Sequence, residues 1–306
     1  MSRRAVLLAA LGVPFQCTWG TPQWHPDPVL VPDRAYEGTC AMPFSDGCWW
    51  DADRQCFCLW YMAGYNGGTA LAQSTDGYVW RKLGIVDPTP RDSSTVWPDG
   101  GGYVRATFFM RDYPDPHLTL QRSSDGITWR TVGRVPGGDR STLYRLTDGR
   151  WVLSARESAT AERGRAFYVA DVFEGPYQRA GEFYAEPSDD PQALIGVRPQ
   201  AYNLDAAPFG AGYLGLLAVW GGARADAPKR NTLRALTSRD GVSWNRGPAI
   251  WIDEQPGAQN VQSCGGVGVM LKPDLLGIYV STRSGPLTAQ RCVTRLLTVP
   301  VREVCA

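Results

Sequence analysis

The stretch "SSDGITW", Ser123–Trp129, recurs almost unchanged at two other places in the chain, as "STDGYVW" at Ser74–Trp80 and "SRDGVSW" at Ser238–Trp244. In each copy an Asp-Gly pair separates two runs of strand-forming residues, a pattern that predicts a β-hairpin with a type I′ turn. The Ser and Asp can bond turn backbone groups, and the Trp offers an apolar face to a neighbouring sheet. Three aspartates are therefore predicted to be turn residues and not catalysts: Asp76, Asp125 and Asp240.

The spacing of the copies indicates a repeat. Asp125 follows Asp76 by 49 residues and Asp240 follows Asp125 by 115 residues, and "ADVFEGPYQ" (Ala170–Gln178) supplies a degenerate copy between them. Two further strand-like runs precede each copy, and a last unit follows Trp244. Five units of roughly 45 to 60 residues with four short strands each are typical of a β-propeller. We predict an all-β, five-bladed propeller with four antiparallel strands per blade, formed by one domain over residues 21–306.

Composition and charge exclude several classes of function. The 31 Lys and Arg nearly balance the 30 Asp and Glu, so a net charge of +1 gives no bulk electrostatic basis for binding nucleic acid or an anionic membrane. Only two histidines occur, which argues against a His-rich metal site, and we expect no cofactor. We expect a monomer.

The two ends of the chain bear on its location. An apolar run from Ala5 to Val13 follows Arg3 and Arg4, so residues 1–20 are a candidate secretory signal whose apolar run is too short to span a membrane. The alternative is an ordinary apolar N-terminal strand of a cytoplasmic protein. The eight cysteines cluster at the two ends, which suits either disulfides between the first and last segments of a secreted or periplasmic protein, or reduced, buried thiols.

The inner strands of a propeller converge on one axis, so polar residues at their starts should face a common pocket. Blade two opens with "RDSSTVW" and blade three with "GDRSTLY", each placing an Asp and an Arg ahead of a strand that contains Ser and Thr. Blade four places Asp205 comparably, Glu37 and Asp46 precede blade one, and blade five opens with amides that include Gln262. Asp92 and Asp139 can alternatively cap strand starts by bonding backbone N–H groups.

Converging carboxylates suit cleavage of the glycosidic bonds of a carbohydrate substrate. That reaction needs two carboxyl groups, about 5 Å apart for retention or about 6.5–9.5 Å apart for inversion of configuration. The candidate catalytic residues are Asp92, Asp139 and Asp205, with Glu37 or Glu157 as proton donor. The candidate substrate-binding residues, including possible stacking rings, are Arg91, Arg140, Trp97, Tyr202, Asn203, Gln262, Arg283 and Arg230.

The chain resembles the five-bladed propeller glycosidases of families 32, 43 and 68, and is more closely similar to bacterial family 32-like proteins. The shared stretches are "AMPFSDGCWWD", "RDSSTVW", "GDRSTLY", "PQAYNLDA" and "NVQSCGGVGV". The resemblance implies hydrolysis of furanoside-type glycosides by three acidic residues. One is a nucleophile or base, one is an Asp in an R-D-P context that stabilises the transition state, and one is a Glu that acts as general acid. "MRDYPDPH" (Met110–His117) is similar to R-D-P, and "SARES" contains Glu157, but both stretches end second strands.

Two alternatives stay open. The similar proteins carry D-A-x-A-Y-E after the blade-four Asp, whereas this chain reads "DAAPFG", with Gly210 where that Glu would be. A propeller that binds glycans or proteins without catalysis is therefore the second hypothesis. A sialidase-like enzyme is the third. It needs an arginine triad, for which Arg91, Arg140, Arg156, Arg165 and Arg283 are available, and a Tyr nucleophile, but no Tyr-Glu pair stands out in the sequence.

Overall fold

The computed structural model describes residues 15–157, 163–224, 227–251, 260–284 and 291–304, with the backbone alone described at 224, 227–228, 251 and 260–263. Two short strands open the described chain: β1 (Cys17–Trp19) and β2 (Gln23–Trp24). Blade 1 contains β3 (Ala41–Met42), β4 (Cys48–Asp51), β5 (Cys56–Ala63), β6 (Gly68–Ser74) and β7 (Arg81–Asp87). Blade 2 contains β8 (Arg91–Asp99), β9 (Gly102–Phe109), β10 (His117–Ser123) and β11 (Arg130–Pro136).

The remaining three blades follow the same order. Blade 3 contains β12 (Thr142–Arg145), β13 (Trp151–Glu157), β14 (Gly164–Ala170) and β15 (Gln178–Phe183). Blade 4 contains β16 (Gln200–Phe209), β17 (Gly212–Arg224), β18 (Ala227–Ser238) and β19 (Asn245–Trp251). Blade 5 contains β20 (Asn260–Cys264), β21 (Val269–Lys272), β22 (Leu275–Ser284) and β23 (Arg291–Glu303). Three short 3₁₀ helices span Ala35–Glu37, Met110–Asp112 and Pro187–Asp189.

The five sheets are antiparallel and confirm the predicted five-bladed propeller. Burial follows strand position, because middle strands such as β5 and β9 are covered on both faces by neighbouring blades, whereas the outermost strand β7 alternates exposed and half-buried residues. Apolar residues of adjacent blades form the core between sheets, as where Trp49 of blade 1 packs on Trp97 of blade 2 with ring centroids 4.4 Å apart.

Antiparallel order gives the propeller two distinct ends. Inner strands begin at one end, which we call the mouth end, and second strands return to it. The loops between second and third strands therefore lie at the mouth end. The hairpins between first and second strands, and the repeated Asp-Gly turns between third and fourth strands, lie at the opposite end, which we call the base end. The topology alone separates Asp76, Asp125 and Asp240 from the inner-strand starts.

The repeated motif is a turn, as predicted, but not of the predicted type. Asp125 is not among the residues with positive φ, which a type I′ turn would require, whereas Gly126 has φ 71°. Instead, Asp125 Oδ1 accepts hydrogen bonds from the backbone N–H groups of Ile127 and Thr128, both at 2.8 Å, and Ser123 Oγ accepts one from Gly126 N–H at 2.8 Å. The other two copies repeat these bonds with Ser74 and Asp76, and with Ser238 and Asp240.

Each of these turns also bonds a neighbouring blade. Trp60 Nε1 of blade 1 donates to the carbonyl of Gly126 in blade 2 at 2.8 Å. Tyr144 of blade 3 and Tyr279 of blade 5 donate in the same way to the carbonyls of Gly241 (2.6 Å) and Gly77 (2.8 Å). The motif therefore joins blades, which explains why the sequence repeats it in register with the blade.

The two ends of the chain meet in blade 5. Strand β1 pairs with β23, with Cys17 opposite Glu303 and Trp19 opposite Val301, so the sheet includes residues ahead of the predicted domain start at residue 21. Cys40, just before β3, forms a parallel bridge with Cys292 on β23, so blade 1 and blade 5 are also joined here. The seven cysteines of the described ranges are free thiols. Within the described residues, no helix is long and apolar enough to cross a bilayer.

Candidate active site

Four carboxylates lie at the mouth end, one on each of the first four blades. Asp46 lies between β3 and β4, Asp92 is the second residue of β8, Asp139 precedes β12, and Asp205 lies on β16. Cross-blade contacts tie these segments together, since the carbonyl of Asp46 accepts a bond from Val96 N–H at 2.7 Å, and Ser93 Oγ accepts one from Arg140 N–H at 2.8 Å. The structure thus assembles the predicted inner-strand openings around the propeller axis.

Asp205 is fully buried in this cluster. Its Oδ2 accepts hydrogen bonds from Asn203 Nδ2 at 2.8 Å and from Ser45 Oγ at 3.4 Å. Burial raises the pKa of Asp205 to about 7, an effect opposed by the positive charge of Arg140 and the bond from Ser45, and reinforced by the charge of Asp46. A carboxyl group with this pKa can both release and recover a proton near neutral pH.

Asp92 and Asp139 form a second pair. Burial raises the pKa of Asp92; Arg140 opposes that shift, and the nearby charge of Asp139 adds to it. Asp139 is paired with Arg156 of β13. Tyr113, on the loop between β9 and β10, donates to Asp92 Oδ2 at 3.5 Å from a half-exposed ring. Asp92 therefore lies between the Asp139–Arg156 ion pair and the ring of Tyr113 at the mouth end.

Asp46 is held by the arginine of the neighbouring blade. Arg91 Nη2 donates to Asp46 Oδ2 at 2.6 Å, Nη1 donates to the Asp92 carbonyl at 3.2 Å, and Nε donates to Thr69 Oγ1 at 2.8 Å. Burial raises the pKa of Asp46 and the charge of Arg91 lowers it. Arg91 was predicted to bind substrate, but all three of its nitrogens bond protein groups, so its observed contacts hold Asp46 and the start of β8 in place.

Arg140 is the central cation of the site. Its guanidinium carbon lies 3.6 Å from the ring centroid of Phe44 and 4.6 Å from that of Tyr202. Its backbone has φ 61°, and Ser45 has φ 65°, so two of the four described non-glycine residues with positive φ belong to this site. Such strain is held by surrounding contacts and is common at functional sites.

Arg165 supports the site from behind. It is fully buried on β14 and donates to the carbonyls of Arg140 (2.9 Å), Tyr202 (3.2 Å) and Ser154. Burial lowers the pKa of Arg165 to about 9, and the charge of Arg140 adds to the effect. Sequence reasoning placed Arg165 only among arginines for a sialidase-like site; its position on a third strand gave no signal of this supporting role.

Three carboxyl oxygens in this cluster are unsatisfied. Asp46 Oδ1, Asp92 Oδ1 and Asp205 Oδ1 are buried and have no hydrogen-bond partner among the described residues. Buried carboxyl oxygens are normally bonded, and unbonded ones at one site call for an explanation. Hydroxyl groups of a bound polar ligand would supply the missing donors.

Several predicted site residues lie elsewhere. Glu37 ends a 3₁₀ helix beside the outer strand of blade 1 and accepts bonds from Asp33 N–H, Arg34 N–H, Lys82 Nζ and Tyr61 Oη, so the prediction that it donates a proton is not supported by its position.

Glu157 and Trp97 also lie away from the four carboxylates. Glu157 is adjacent to Arg156 on β13 and so faces the other side of the sheet, where its carboxylate lies 3.4 Å from Arg179 of the outer strand β15. Trp97 lies toward the base end of β8 and packs on Trp49 between blades. Neither position suits the predicted proton donor or stacking ring.

The predicted binding residues divide into two groups. Asn203 bonds Asp205 and Ser45, and its Oδ1 accepts from Arg140 at 3.5 Å, while Tyr202 packs on Arg140. Arg283 joins the same wall, with its guanidinium carbon 5.8 Å from the Phe44 ring centroid. Arg230 instead bonds both carboxyl oxygens of Asp190, at 3.0 and 3.2 Å, ahead of blade 4. The side chain of Gln262 lies outside the described residues.

Two motifs that bear on the resemblance lie at opposite ends of the propeller. Asp112 of "MRDYPDPH" is buried at the mouth end, 3.5 Å from His117 Nε2, and the same loop carries Tyr113. Gly210 lies in the turn between β16 and β17, at the base end, with φ 56° and with the Glu303 carboxylate beside it. A Glu at position 210 would therefore lie far along β16 from the carboxylate cluster.

Surface grooves at the base end offer little chemistry. The groove formed by Trp50–Arg54 and Pro98–Tyr103 has a volume of about 390 Å³. Two of its three carboxylates are already paired, Asp51 with Arg54 and Asp99 with Arg122 and Arg145, whereas Asp53 forms no ion pair with a described residue. In the described part of the chain, no three His, Cys, Asp or Glu side chains are arranged to hold a metal ion.

Comparison with solved structures confirms the fold class. A family 117 glycoside hydrolase from the marine bacterium Zobellia galactanivorans aligns over 92% of this chain and 91% of its own, with a TM-score of 0.58 and 14% identity. An endo-arabinase from Bacteroides thetaiotaomicron aligns over 85% and 96%, with a TM-score of 0.54 and 13% identity. An N-acetylgalactosamine deacetylase from F. plautii aligns over 94% and 95%, with a TM-score of 0.57 and 12% identity.

These similarities are structural. No protein-family model matches the sequence, and no curated protein matches it. At 12 to 14% identity the alignments establish a shared fold, and they include both glycoside hydrolases and a deacetylase. Function must therefore be argued from the side chains of the site.

Proposed function

We propose that the protein is a glycoside hydrolase that cleaves a glycan or oligosaccharide at the mouth-end carboxylate cluster. The observation that carries the proposal is the convergence of Asp46, Asp92, Asp139 and Asp205 at the mouth end, with unsatisfied carboxyl oxygens on three of them and the charge of Arg140 acting on Asp92 and Asp205. Sugars present many hydroxyl donors, and glycosidases need paired carboxyl groups with different protonation states. Glycoside hydrolases among the structural neighbours are consistent with this chemistry.

In this proposal Asp205 is the proton donor, because its buried carboxyl has a pKa raised to about 7 and can protonate a leaving oxygen near neutral pH. Asp92 is the second carboxyl, acting as nucleophile or as base toward water. Asp139, paired with Arg156, lies beside Asp92 and fixes the local charge. Arg140 stabilises charge on both Asp92 and Asp205, so it couples the two carboxyl groups.

The test is hydrolysis of aryl furanosides and pyranosides by the native protein and by Asp92→Asn, Asp139→Asn and Asp205→Asn. We expect kcat to fall by about 100-fold or more for Asp92→Asn and Asp205→Asn, since general acid–base groups contribute about 10²–10⁴ in rate. Asp125→Asn is the matched control, because its carboxylate lies in a base-end turn. Turnover that survives all three site substitutions would overturn the assignment.

Measured binding decides between this proposal and a non-catalytic glycan-binding propeller. If native protein binds an oligosaccharide without cleaving it, and Asp205→Asn weakens that binding, the binding role is supported instead. The preference for furanosides rests on the sequence resemblance alone, and the aryl glycoside panel tests it. Monomeric state and secretion are also proposals, the latter based on the apolar run after Arg3 and Arg4.

A further inference from the structure

Three cations surround one aromatic ring at the blade 3–blade 4 side of the mouth. The ring of Tyr202, which is buried, has the guanidinium carbons of Arg140 and Arg163 at 4.6 and 5.6 Å from its centroid and Lys229 Nζ at 5.6 Å. Lys229 Nζ also donates to Tyr202 Oη at 3.5 Å, and Arg163 lies 5.6 Å from the centroid of Trp220. We name Arg140, Arg163, Lys229 and Tyr202 the cationic cluster.

Two members of the cationic cluster lack a carboxylate partner. Neither Arg163 nor Lys229 forms an ion pair with any described carboxylate. Other cations nearby are paired: Arg156 with Asp139, and Arg230 with Asp190. Burial lowers the pKa of Arg163, and the charges of Arg156 and Arg140 lower it further. Like charges gathered in a partly desolvated place repel one another, and a bound anion would relieve that repulsion.

The cationic cluster is continuous with the proposed catalytic site. Arg140 bonds Asn203 Oδ1 at 3.5 Å, and Asn203 Nδ2 bonds Asp205 Oδ2 at 2.8 Å. Arg163 directly precedes β14, and Lys229 lies near the start of β18, so both come from mouth-end hairpins. Both side chains are only half-buried and thus remain reachable from the mouth, whereas Arg140 is 1% exposed.

We propose that the cationic cluster binds an anionic substituent, a carboxylate or a sulfate ester, on the glycan that occupies the carboxylate site. The proposal rests on the proposed function and narrows its substrate class to acidic glycans. Guanidinium groups bind carboxylate and sulfate oxygens through paired N–H donors, and an ammonium adds a point charge. The exposed part of the half-buried Trp220 ring, beside Arg163, would then contact the adjoining sugar face.

Cation–π packing alone does not account for this arrangement. A favourable contact between a cation and a ring needs only one cation. Here three cations share one ring, which adds mutual repulsion without adding ring faces. An anion-binding role explains both the gathering of charge and the lack of an ion pair to a described carboxylate at Arg163 and Lys229.

The test is calorimetric binding of three oligosaccharides of equal length to the native protein: trigalacturonate, a sulfated galactotriose and neutral galactotriose. We expect one acidic probe to bind at least about tenfold tighter than the neutral one, with the ratio falling as salt rises. Preference for the uronate or for the sulfate ester identifies the anion. Equal affinities for all three probes would overturn the proposal.

Substitutions test whether the cationic cluster causes the preference for acidic probes. Arg163→Gln and Lys229→Gln should each reduce the acidic-to-neutral affinity ratio by about tenfold, the value of one charge-assisted bond. Arg134→Gln and Lys272→Gln, exposed residues on β11 and β21, are matched controls that should keep the ratio. If thermal melting shows that one of the two cluster variants does not fold, the affinity ratio of the other variant and the salt dependence of the native protein decide whether the cluster binds the anion. An unchanged ratio in a folded cluster variant refutes the role.

Failure of this inference is distinguishable from failure of the proposed function. Turnover that depends on Asp92 and Asp205 but shows no preference for acidic glycans would refute the cationic cluster alone. A preference for acidic glycans with no turnover, or with turnover indifferent to those aspartates, would refute the hydrolase proposal and leave the anion site standing.

Discussion

Asp205 shows how a single carboxyl group acquires its chemistry from its surroundings. The side chain is 2% exposed, so burial disfavours its charged form, while Asn203 and Ser45 bond only one of its two oxygens. Arg140 and Arg165 partly compensate through their charge, and the pKa settles at about 7. The same aspartate in a solvated turn, such as Asp125, has its pKa lowered by backbone N–H groups.

The raised pKa of Asp205 makes the free energy of unfolding depend on pH. The folded-state pKa of Asp205, about 7, lies above its unfolded value of 3.8, so between these values the folded state binds more protons. The contribution of Asp205 to stability is present below about pH 4 and is lost as pH rises to about 7. We expect Asp205→Asn to be more stable than the native protein at pH 8, by up to about 4 kcal/mol.

Urea unfolding from pH 4 to pH 8 measures this difference directly. The gap between Asp205→Asn and the native protein should widen as pH rises through the window and level off above pH 7. Asp125→Asn serves as a control, because the pKa of Asp125 is lowered from 3.8 and its stabilising charge is lost only as pH falls below about 4. This variant should be less stable than the native protein by a nearly constant amount from about pH 5 to pH 8. A gap that does not change with pH would contradict the shift.

Glu37 provides a second residue-scale prediction. Its carboxylate is fully buried and accepts four hydrogen bonds, two from backbone N–H groups and one each from Lys82 and Tyr61. Glu37→Gln leaves the Lys82 ammonium, with a side chain 6% exposed, without one of its anionic partners. We expect a loss of about 3 kcal/mol in the free energy of unfolding.

Chemical denaturation measures that loss, and hydrolysis assays check the role. Turnover by the folded fraction of Glu37→Gln should equal that of the native protein, because the side chain lies outside the carboxylate cluster. A large fall in kcat without a fall in stability would restore Glu37 as a candidate proton donor.

The sequence predicts those candidate site residues that lie on or next to the inner strands of the propeller. Asp92, Asp139 and Asp205 were identifiable because inner strands of a propeller must start near the axis. Glu37 and Glu157 contact outer-strand residues, and chain neighbourhood alone does not reveal whether a side chain faces the axis or an outer strand. Arg163 and Lys229 come from separate hairpins and meet only in three dimensions.

At the scale of the element, the repeated turn couples local and tertiary structure. The Asp carboxylate and Ser hydroxyl bond four backbone N–H groups within the turn, which positions the Gly carbonyl to accept from a Trp or Tyr of the neighbouring blade. Glycine is required here because its φ is positive and because a Cβ at Gly126 would lie 2.6 Å from the Trp60 ring. Sequence alone predicted the turn but not its bond to the neighbouring blade.

We expect Asp125→Ala to lower the free energy of unfolding by about 2 kcal/mol, because two backbone N–H groups lose their acceptor. Combining it with Trp60→Phe, which removes the bond to Gly126, should give a total loss smaller than the sum, since the turn positions that bond. Denaturant titration of the four proteins in this cycle gives the coupling. Strict additivity would show that turn and blade contact are independent.

At the scale of the whole molecule, the ring closes through pairing that sequence does not reveal. The repeat period predicts five blades, but β1 pairs with β23 across nearly the full length of the chain. Cys17, Thr18 and Trp19 form too short a run for alternation to predict a strand. This strand lies ahead of residue 21, where the sequence predicts the propeller domain to begin.

The closing strand yields the last prediction. Phe15 is 5% exposed and packs beside Gly212 of blade 4, and Trp19 packs on the apolar core that blade 4 and blade 5 share. A chain that begins at Thr21 should therefore be less stable than one that begins at Phe15, by about 4 kcal/mol from the loss of two large apolar side chains. Guanidinium denaturation of both chains measures the difference. The doubly substituted chain Phe15→Ala, Trp19→Ala controls for the backbone pairing, because it keeps β1 while removing both side chains. If the chain starting at Thr21 matched the longer one in stability, β1 would contribute nothing, and β23 would be held in blade 5 by its pairing with β22 and joined to blade 1 by the contacts around Cys40 and Cys292.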